Sequence, residues 1–221
     1  MLEFARPNML ELATKSLIAY LLGAVMGSLV IGRLRGGIDI RQMGSGNAGG
    51  TNALRTQGAL FALGVIVIDV LKGWFAARWL PHASLPGLPI DPTLDRGWLA
   101  GACGLSAILG HIYPVWYDFR GGKGAATLIG VTLGTDARLL LPALGVWFLV
   151  VLLTGFVGLG TISAAVTLAL TAAFMPNENS LALAAFFAAT AILIAYAHRD
   201  NVARMLSGTE SRARRLWLFQ R

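Results

Sequence analysis

The chain has 221 residues, of which 56% are hydrophobic and 13% charged, and its formal net charge is +7. Soluble domains carry about 25% charged residues, so this shortage of charge excludes an ordinary soluble fold and indicates a polytopic membrane protein. Basic loops on one side of a membrane account for the positive charge, which argues against a nucleic-acid partner. With the single cysteine Cys103, the sequence also excludes a disulfide framework and a Cys/His metal site.

Seven apolar segments predict an all-α integral membrane protein with seven transmembrane helices, forming one domain over residues 1–221. In chain order these segments cover residues 13–32, 58–80, 97–116, 124–134, 139–158, 159–175 and 181–197. No small-residue cleavage site follows the first segment, so we expect a retained helix rather than a removed signal peptide. The fourth segment is short, and the count falls to five if the fourth and fifth are not spans.

The basic residues predict the orientation. An odd number of spans places the loop after the first span, the stretch after the third span and the C-terminal tail on one side. That side has twelve basic residues and the other has five, so we expect cytoplasmic glycine-rich loops and an external N-terminus. The twelve are Arg33, Arg35, Arg41, Arg55, Arg120, Lys123, Arg199, Arg204, Arg212, Arg214, Arg215 and Arg221; the five are Arg6, Lys15, Arg78, Arg96 and Arg138.

The first glycine-rich motif, GSGNAGGTNALR at residues 44–55, interleaves glycines with small hydrogen-bonding side chains and ends in an arginine. Thr51 or Asn52 could cap the following helix, whose N-terminal N–H groups favour an anion. The alternative is an ordinary flexible loop before a capped helix. The interleaved Ser45, Asn47 and Arg55 favour anion binding.

A second feature is the sequence DVLKG at residues 69–73, which carries an acid and a base within a predicted span. Asp69 and Lys72 are three positions apart on one helical face and can form an ion pair. Alternatively, Lys72 extends toward the lipid headgroups. A functional role and a structural pair are both consistent with this spacing.

The second glycine-rich motif, GHIYPVWYDFRGGKGAAT at residues 110–127, ends in a glycine loop that leads into a predicted helix. Glycines can direct several backbone N–H groups at one anion, and Lys123 adds positive charge. The order of residues is not that of a P-loop, which argues against nucleotide hydrolysis. His111 is either a base or a structural support for this loop, and we favour the second role.

The third motif is HRDNVARMLSGTE at residues 198–210. His198, Asn201 and Met205 lie along one predicted helical face, and Arg204 follows Asn201 at i+3. The alternative interpretation is an amphipathic basic tail on anionic lipid.

Several catalytic patterns are missing from the sequence. It contains no Gly-x-Ser-x-Gly elbow, no cysteine in a polar setting and no carboxylate cluster for a metal pair. An acyl or phosphoryl transfer would therefore need an already activated substrate, with positioning and charge stabilisation supplying the catalysis.

These motifs together resemble the bacterial membrane acyl-phosphate:glycerol-3-phosphate acyltransferases, over almost the whole chain. The resemblance implies a seven-helix enzyme of the bacterial inner membrane with a cytoplasmic site. It implies transfer of a fatty acyl group from acyl phosphate, rather than from acyl-CoA or acyl carrier protein, to the 1-hydroxyl of glycerol 3-phosphate. The products would be lysophosphatidate and phosphate. We expect no cofactor, no metal and no obligate protein partner beyond the lipid bilayer.

The resemblance also implies residue roles. Ser45, Arg55, His198 and Asn201 would be catalytic, and Glu210 would maintain the site. The candidate substrate-binding residues are Gly44, Gly46, Asn47, Thr51, Asn52, Lys72, His111, Gly121, Gly122, Lys123, Gly124, Arg204 and Glu210. This sequence has Gly50 where the family usually has alanine, and residues 154–160 lack an Arg and a Ser that are typical there.

Two other classes fit the composition less well. A transporter of organic anions would have repeated halves and broken helices near the midplane, and the sequence contains no repeat. A phosphotransferase for lipid alcohols would need several spaced aspartates for metal ions, which the motifs do not supply.

Overall fold

The computed structural model describes residues 9–175, 180–213 and 216–219, and all regular elements within them are helical. The chain forms two compact units, Met1–Thr135 and Asp136–Arg221. The α-helices are α1 Met9–Gly23, α2 Gly27–Leu34, α3 Gly50–Gln57, α4 Ala59–Trp74, α5 Arg96–Ile112, α6 Ala125–Thr135, α7 Leu140–Thr154, α8 Val157–Ala173, α9 Ser180–Ala197 and α10 Arg199–Leu206. The predicted lead before Met9 and most of the predicted turn at residues 176–180 lie outside the described residues.

In the first unit, α1 packs against α5, and α4 packs against α6. Glycines allow these backbones to approach closely: a Cβ on Gly23 would overlap the backbone of Ala107, and one on Gly73 would overlap the backbone of Thr127. Small residues commonly serve this purpose between helices in a membrane. Helix α2 bends away from α1 by 43°. A π-helical turn, Phe75–Trp79, continues α4.

In the second unit, α8 packs against both α7 and α9, and α10 packs against α8 and α9. Helix α7 ends at Gly155, which has φ +77° and whose N–H donates to the carbonyl of Val151 at 2.8 Å. A glycine in the left-handed region is a common way to end a helix. This ending produces the short turn between α7 and α8.

Among the described residues, four helical segments are long and apolar enough to cross a membrane, namely Ala59–His82, Arg96–Tyr117, Ala137–Thr154 and Ser180–Ala197. The bent pair α1–α2 raises the number to five. A helix lies at each of the seven predicted positions, but α6 with 11 residues and α8 with 17 are shorter than the about 20 that a span requires. An all-helical fold is confirmed for the described residues, whereas the seven-span count and the cytoplasmic location of the loops stay predictions.

Candidate active site

The first glycine-rich motif is organised by the side chain of Asn52, which is 2% exposed. Its amide Nδ2 donates to the carbonyl oxygens of Ile40 (2.9 Å), Met43 (3.0 Å) and Asn47 (2.9 Å). Its Oδ1 accepts from the backbone N–H of Ser45 at 3.0 Å. Because buried backbone groups need hydrogen-bond partners, one amide fixes the path of a loop that has no regular structure of its own.

The structure corrects the predicted cap of α3. This helix begins at Gly50, and its N-cap residue is Gly49, with no side-chain hydrogen bond at the cap. The Oδ1 of Asn47 accepts from the N–H of Gly49 at 2.8 Å and shapes the approach to the helix. Thr51 is exposed, and the Asn52 side chain is occupied by the loop. The prediction that Thr51 or Asn52 caps α3 is therefore wrong.

The predicted catalytic residues of this motif are accessible. Ser45 and Arg55 are both exposed. Gly44 and Gly46, on either side of Ser45, have φ values of +58° and +72°, a region that favours glycine. A Cβ on Gly44 would also overlap the Oδ1 of Asn52. The glycines therefore let the chain wrap tightly around Asn52 and leave Ser45 in reach of a ligand.

Arg41 connects the two glycine-rich motifs within the first unit. Its Nη2 pairs with the Asp39 carboxylate at 2.7 Å, and its Nη1 donates to the carbonyls of Tyr117 (3.3 Å) and Arg120 (3.4 Å). The hydrogen bonds from Arg41 favour the charged carboxylate and hold the pKa of Asp39 below its usual value. The sequence placed Arg41 only among the cytoplasmic charges, so its bridging role was missed.

The loop of the second motif folds back onto the end of α5. The N–H of Gly121 donates to the carbonyl of Ile112 at 3.2 Å, and the N–H of Gly122 donates to the carbonyl of His111 at 3.0 Å. Gly124 has φ +84° and immediately precedes α6. The predicted passage from glycine loop to helix is confirmed.

Two consecutive residues upstream of these glycines are strained. Asp118 and Phe119 have φ values of 55° and 57°, and neither is glycine. Such positions cost about 1–3 kcal/mol each and concentrate at functional loops. Lys123 is half-buried within the same loop, between two glycines. The motif therefore combines backbone strain, glycines and a cation at one helix start.

A buried ionic network lies beneath this loop. Lys72, Asp69 and His111 are 4%, 1% and 2% exposed. The Nζ of Lys72 lies 2.9 Å from Asp69 Oδ1 and 2.9 Å from His111 Nδ1, and it donates to the Val25 carbonyl at 2.6 Å. The N–H of Gly27 donates to the same Asp69 oxygen at 3.2 Å. The predicted Asp69–Lys72 pair is confirmed, and the alternative in which Lys72 extends toward the headgroups is wrong.

This network determines how the imidazole of His111 faces the loop. The Nδ1 atom of His111 lies 2.9 Å from Lys72 Nζ and 3.5 Å from Asp69 Oδ1, so this side of the ring faces the buried ion pair. The Nε2 atom faces Gly122, where a Cβ would overlap the imidazole ring. His111 therefore lies directly under the backbone of Gly121 and Gly122, and its supporting role stays a prediction.

The second unit holds the third motif around the Glu210 carboxylate. Its Oε1 accepts from Asn201 Nδ2 and its Oε2 from Arg204 Nε, both at 2.6 Å. His198 is 5% exposed, and its Nδ1 lies 2.8 Å from the carbonyl of Ile194. The predicted neighbours Asn201, Arg204 and Glu210 are thus in contact, which fits a role of Glu210 in maintaining this group.

Gly158 explains how this motif packs in the second unit. A Cβ on Gly158 would lie 3.2 Å from the Cβ of Asn201 and 3.3 Å from the Cδ2 of His198. Such contacts are tight, so the glycine at the start of α8 lets α10 approach. No local pattern singles out Gly158, because its contacts are with residues 40 and 43 positions further along the chain.

No group of three His, Cys, Asp or Glu side chains that could hold a metal ion occurs among the residues that the structure describes.

A match to a protein-family model decides the family of this chain. The family model described as glycerol-3-phosphate acyltransferase matches residues 14–208. The chain belongs to this family. It therefore contains the fold and motifs of a membrane acyltransferase.

Similar proteins agree with this assignment. The glycerol-3-phosphate acyltransferase of Bradyrhizobium diazoefficiens is 41% identical over 201 residues, covering 88% of this chain and 91% of the relative. That of Chlorobaculum parvum is 36% identical over 216 residues, covering 88% and 93%. Both similarities extend over most of each chain.

Two crystal structures of PlsY (YgiH), an integral membrane glycerol 3-phosphate acyltransferase, have a similar fold at 31% identity. Its glycerol 3-phosphate form has a TM-score of 0.75 and covers 91% of this acyltransferase and 94% of PlsY. Its lysophosphatidic acid form has a TM-score of 0.77 and covers 95% and 99%. The similarity supports a multi-pass membrane protein.

Proposed function

We propose that this acyltransferase moves a fatty acyl group from acyl phosphate to the sn-1 hydroxyl of glycerol 3-phosphate. The products are 1-acyl-sn-glycerol 3-phosphate (lysophosphatidate) and phosphate, and the step is the first acylation of phospholipid biosynthesis. The match to the glycerol-3-phosphate acyltransferase family over residues 14–208 carries the proposal. We also propose an inner-membrane location with an external N-terminus and a site that faces the cytoplasm, in line with the basic loops.

The glycine loop at residues 121–124 is proposed to bind the phosphate of glycerol 3-phosphate. Its support comes from the helix start that follows it and from Lys123 within it. Lys72 and His111 contribute from below by fixing the loop, since both are buried. Their contribution to substrate binding is therefore indirect.

The first motif is proposed to hold the acyl phosphate. Arg55 supplies a planar pair of donors for its phosphate, and Ser45 aligns the reacting groups. Gly44, Gly46, Asn47, Thr51 and Asn52 shape this loop, and the Asn52 contacts support that assignment. In the second unit His198 and Asn201 are proposed as catalytic, with Arg204 and Glu210 holding Asn201 in place.

The proposed chemistry needs no enzyme nucleophile, because acyl phosphate is a mixed anhydride. The hydroxyl oxygen of glycerol 3-phosphate attacks the carbonyl carbon, a new ester C–O bond forms, and the C–O bond to phosphate breaks. The hydroxyl proton passes to the departing phosphate or to His198. Binding and charge stabilisation supply the rate enhancement.

An assay of the purified full-length protein with labelled glycerol 3-phosphate tests the donor. We expect lysophosphatidate from palmitoyl phosphate and none from palmitoyl-CoA. Turnover with the thioester instead of the phosphate would overturn the donor assignment. A stable acyl-enzyme trapped on the protein would contradict direct attack.

Arg55→Lys tests the phosphate contact in the first motif. Replacing a bidentate fork by a point charge should lower kcat/KM by at least about 100-fold, since contacts of this kind contribute on the order of 3 kcal/mol. Arg138→Lys is the matched control, because Arg138 is exposed and pairs with Asp136. Near-normal turnover of Arg55→Lys would argue against phosphate binding there.

A further inference from the structure

The C-terminal strap, residues 209–213 and 216–219, lies outside the residues that the family model matches. It returns to the end of α7. The N–H of Ala213 donates to the carbonyl of Gly155 at 2.8 Å, and the N–H of Leu218 donates to that of Leu152 at 2.9 Å. The indole Nε1 of Trp217 donates to the Leu153 carbonyl at 3.2 Å. The strap thereby satisfies carbonyls that the end of a helix leaves without partners.

Arg212 occupies an unusual position in this strap. Its guanidinium carbon lies 4.1 Å from the centroid of the Trp217 ring and 4.8 Å from that of Phe156. Stacking uses the face of a guanidinium and leaves its N–H groups in the plane available. Among the described residues, these N–H groups have no hydrogen-bond or ion-pair partner. Arg212 is therefore a fixed cation with unused donors.

These donors border a cavity. The cavity has a volume of about 370 Å³ and is lined by Glu210, Ser211, Arg212 and Trp217. Because Glu210 is already held by Asn201 and Arg204, the cation of Arg212 and the hydroxyl of Ser211 are the groups that suit an anion. A volume of this size accommodates a phosphate with a small substituent.

The surroundings of the cavity distinguish the source of such an anion. Leu218 and Phe219 are 62% and 58% exposed, and Leu216 is 42% exposed. The strap meets α7 where a candidate membrane span, Ala137–Thr154, ends. Tryptophan, arginine and exposed apolar side chains are characteristic of this boundary between lipid and water. A free phosphate compound would gain nothing from the apolar side chains.

We propose that the strap is an interfacial binding site for anionic phospholipid, in which Arg212 and Ser211 hold the headgroup phosphate. Leu216, Leu218 and Phe219 lie against the acyl chains, and Trp217 fixes the plane of the guanidinium. Glu210 lines the same cavity and also bonds Asn201, so a bound lipid stabilises the third motif. This site is separate from the proposed acyl-transfer chemistry and can be tested without turnover.

Native mass spectrometry of the full-length protein tests the proposal, with phosphatidylglycerol as the probe and phosphatidylcholine as the zwitterionic comparison. We expect Arg212→Ala to weaken phosphatidylglycerol binding about fivefold, the effect of removing one arginine near an anionic surface. Phosphatidylcholine binding should change little. Arg138→Ala is the control, since Arg138 is an exposed arginine that pairs with Asp136, and it should retain wild-type binding.

Two further variants and a displacement measurement distinguish the outcomes. Arg212→Lys keeps a cation in case the alanine variant does not fold, and it should bind more weakly than wild type but more tightly than Arg212→Ala. Leu218→Ser should weaken phosphatidylglycerol binding as well. Unchanged binding in Arg212→Ala and Arg212→Lys would overturn the site. Displacement of the lipid by millimolar inorganic phosphate or glycerol 3-phosphate would show that the cavity serves a free phosphate compound, which would also overturn it.

Discussion

The first unit buries two ionic networks at opposite ends, and they contact different parts of the unit. One joins Asp69, Lys72 and His111 beneath the glycine loop. The other joins Glu11 at the start of α1 to Arg96 at the start of α5. Each centres on a carboxylate that is 1% exposed or less. Buried charges of this kind persist only when they are paired.

The Glu11 network is saturated. Glu11 Oε1 accepts from Lys15 (2.7 Å) and Arg96 (2.6 Å), and Oε2 accepts from Arg96 (3.1 Å) and the N–H of Asp91 (2.8 Å). Lys15 also donates to the carbonyl of Pro81 at 3.0 Å. Apart from Lys15 within α1, these partners lie at the start of α5 and in the segment between α4 and α5. The network therefore fastens α1 to the segment between α4 and α5.

The Asp69 network is less complete. Its Oδ1 carries all of the contacts with Lys72 and Gly27, whereas Oδ2 has no hydrogen-bond partner among the described residues. The same Oδ1 lies 3.5 Å from His111 Nδ1, which also lies 2.9 Å from Lys72 Nζ, and the carbonyl of His111 accepts from the N–H of Gly122. One network therefore stabilises the fold alone, while the other also sets the shape of the proposed phosphate loop.

Asp69→Asn should have the largest effect on stability and on KM. The substitution removes the negative charge of the network while keeping a side chain of similar shape. Lys72 would be left buried without an anion and with no route to water, which costs about 3–5 kcal/mol of stability. The loop above His111 would also loosen, so we expect KM for glycerol 3-phosphate to rise at least about tenfold. Unfolding in detergent and steady-state kinetics measure both effects. A stability loss with unchanged KM would make this network purely structural.

Glu11→Gln should come next, with a stability loss of about 3 kcal/mol, toward the lower end for a broken buried pair. Lys15, which is 1% exposed, would keep its hydrogen bond to the Pro81 carbonyl but lose its anion, whereas Arg96 is 29% exposed on its side chain and can regain water, which limits the loss. Since this network touches no glycine loop, kcat and KM of the folded protein should stay within about twofold of wild type. A raised KM for glycerol 3-phosphate in Glu11→Gln would show that the Glu11 network also affects the glycine loop.

Gly122→Ala tests the contact between the glycine loop and the imidazole of His111. A Cβ would overlap the His111 ring, which the network holds in place, so the loop must shift and KM for glycerol 3-phosphate should rise about fivefold. Gly145→Ala in α7 is the control, because no atom lies within 4 Å of its Cβ position. That control should gain up to about 1 kcal/mol of stability and keep wild-type kinetics. A wild-type KM in Gly122→Ala would show that contact with His111 does not determine the conformation of the glycine loop.

Asp39→Asn should have the smallest effect, because Asp39 and Arg41 are partly exposed and such pairs contribute about 0–1 kcal/mol. The folded pKa of Asp39 is lowered, so its contribution is complete above the ordinary Asp pKa of about 3.9 and is lost as pH falls through the folded value. Wild-type stability should therefore fall more steeply below about pH 4 than that of the variant. Parallel pH profiles of the two proteins would contradict this assignment.

The sequence predicted the features that depend on local spacing. The Asp69–Lys72 pair followed from i,i+3 positions on a helix, and the start of α6 followed from the glycines before it. The Glu11–Arg96 pair joins residues 85 positions apart, so no local pattern predicts it. The role of Asn52 was misassigned because a capping cluster and a loop anchor use the same residue type.

The span count shows a second limit of sequence patterns. Each of the seven apolar runs contains helix, but hydropathy does not show where each helix ends, and it did not locate the polar helices α3 and α10. Helix α6 begins near the C-terminal end of α4, where Thr127 lies against Gly73, because the loop before it folds back onto His111. Its 11 residues reflect that tertiary contact, which hydropathy does not record.

The most direct test of whether the network under His111 shapes the phosphate loop is a binding titration. Glycerol 3-phosphate would be titrated into the purified full-length protein without an acyl donor. Wild type, Asp69→Asn and Glu11→Gln would be compared under the same conditions. If the network under His111 shapes the phosphate loop, Asp69→Asn raises Kd at least about tenfold, a loss of about 1.4 kcal/mol, and Glu11→Gln leaves it unchanged. An unchanged Kd in Asp69→Asn, or an equal increase in both variants, would contradict the claim.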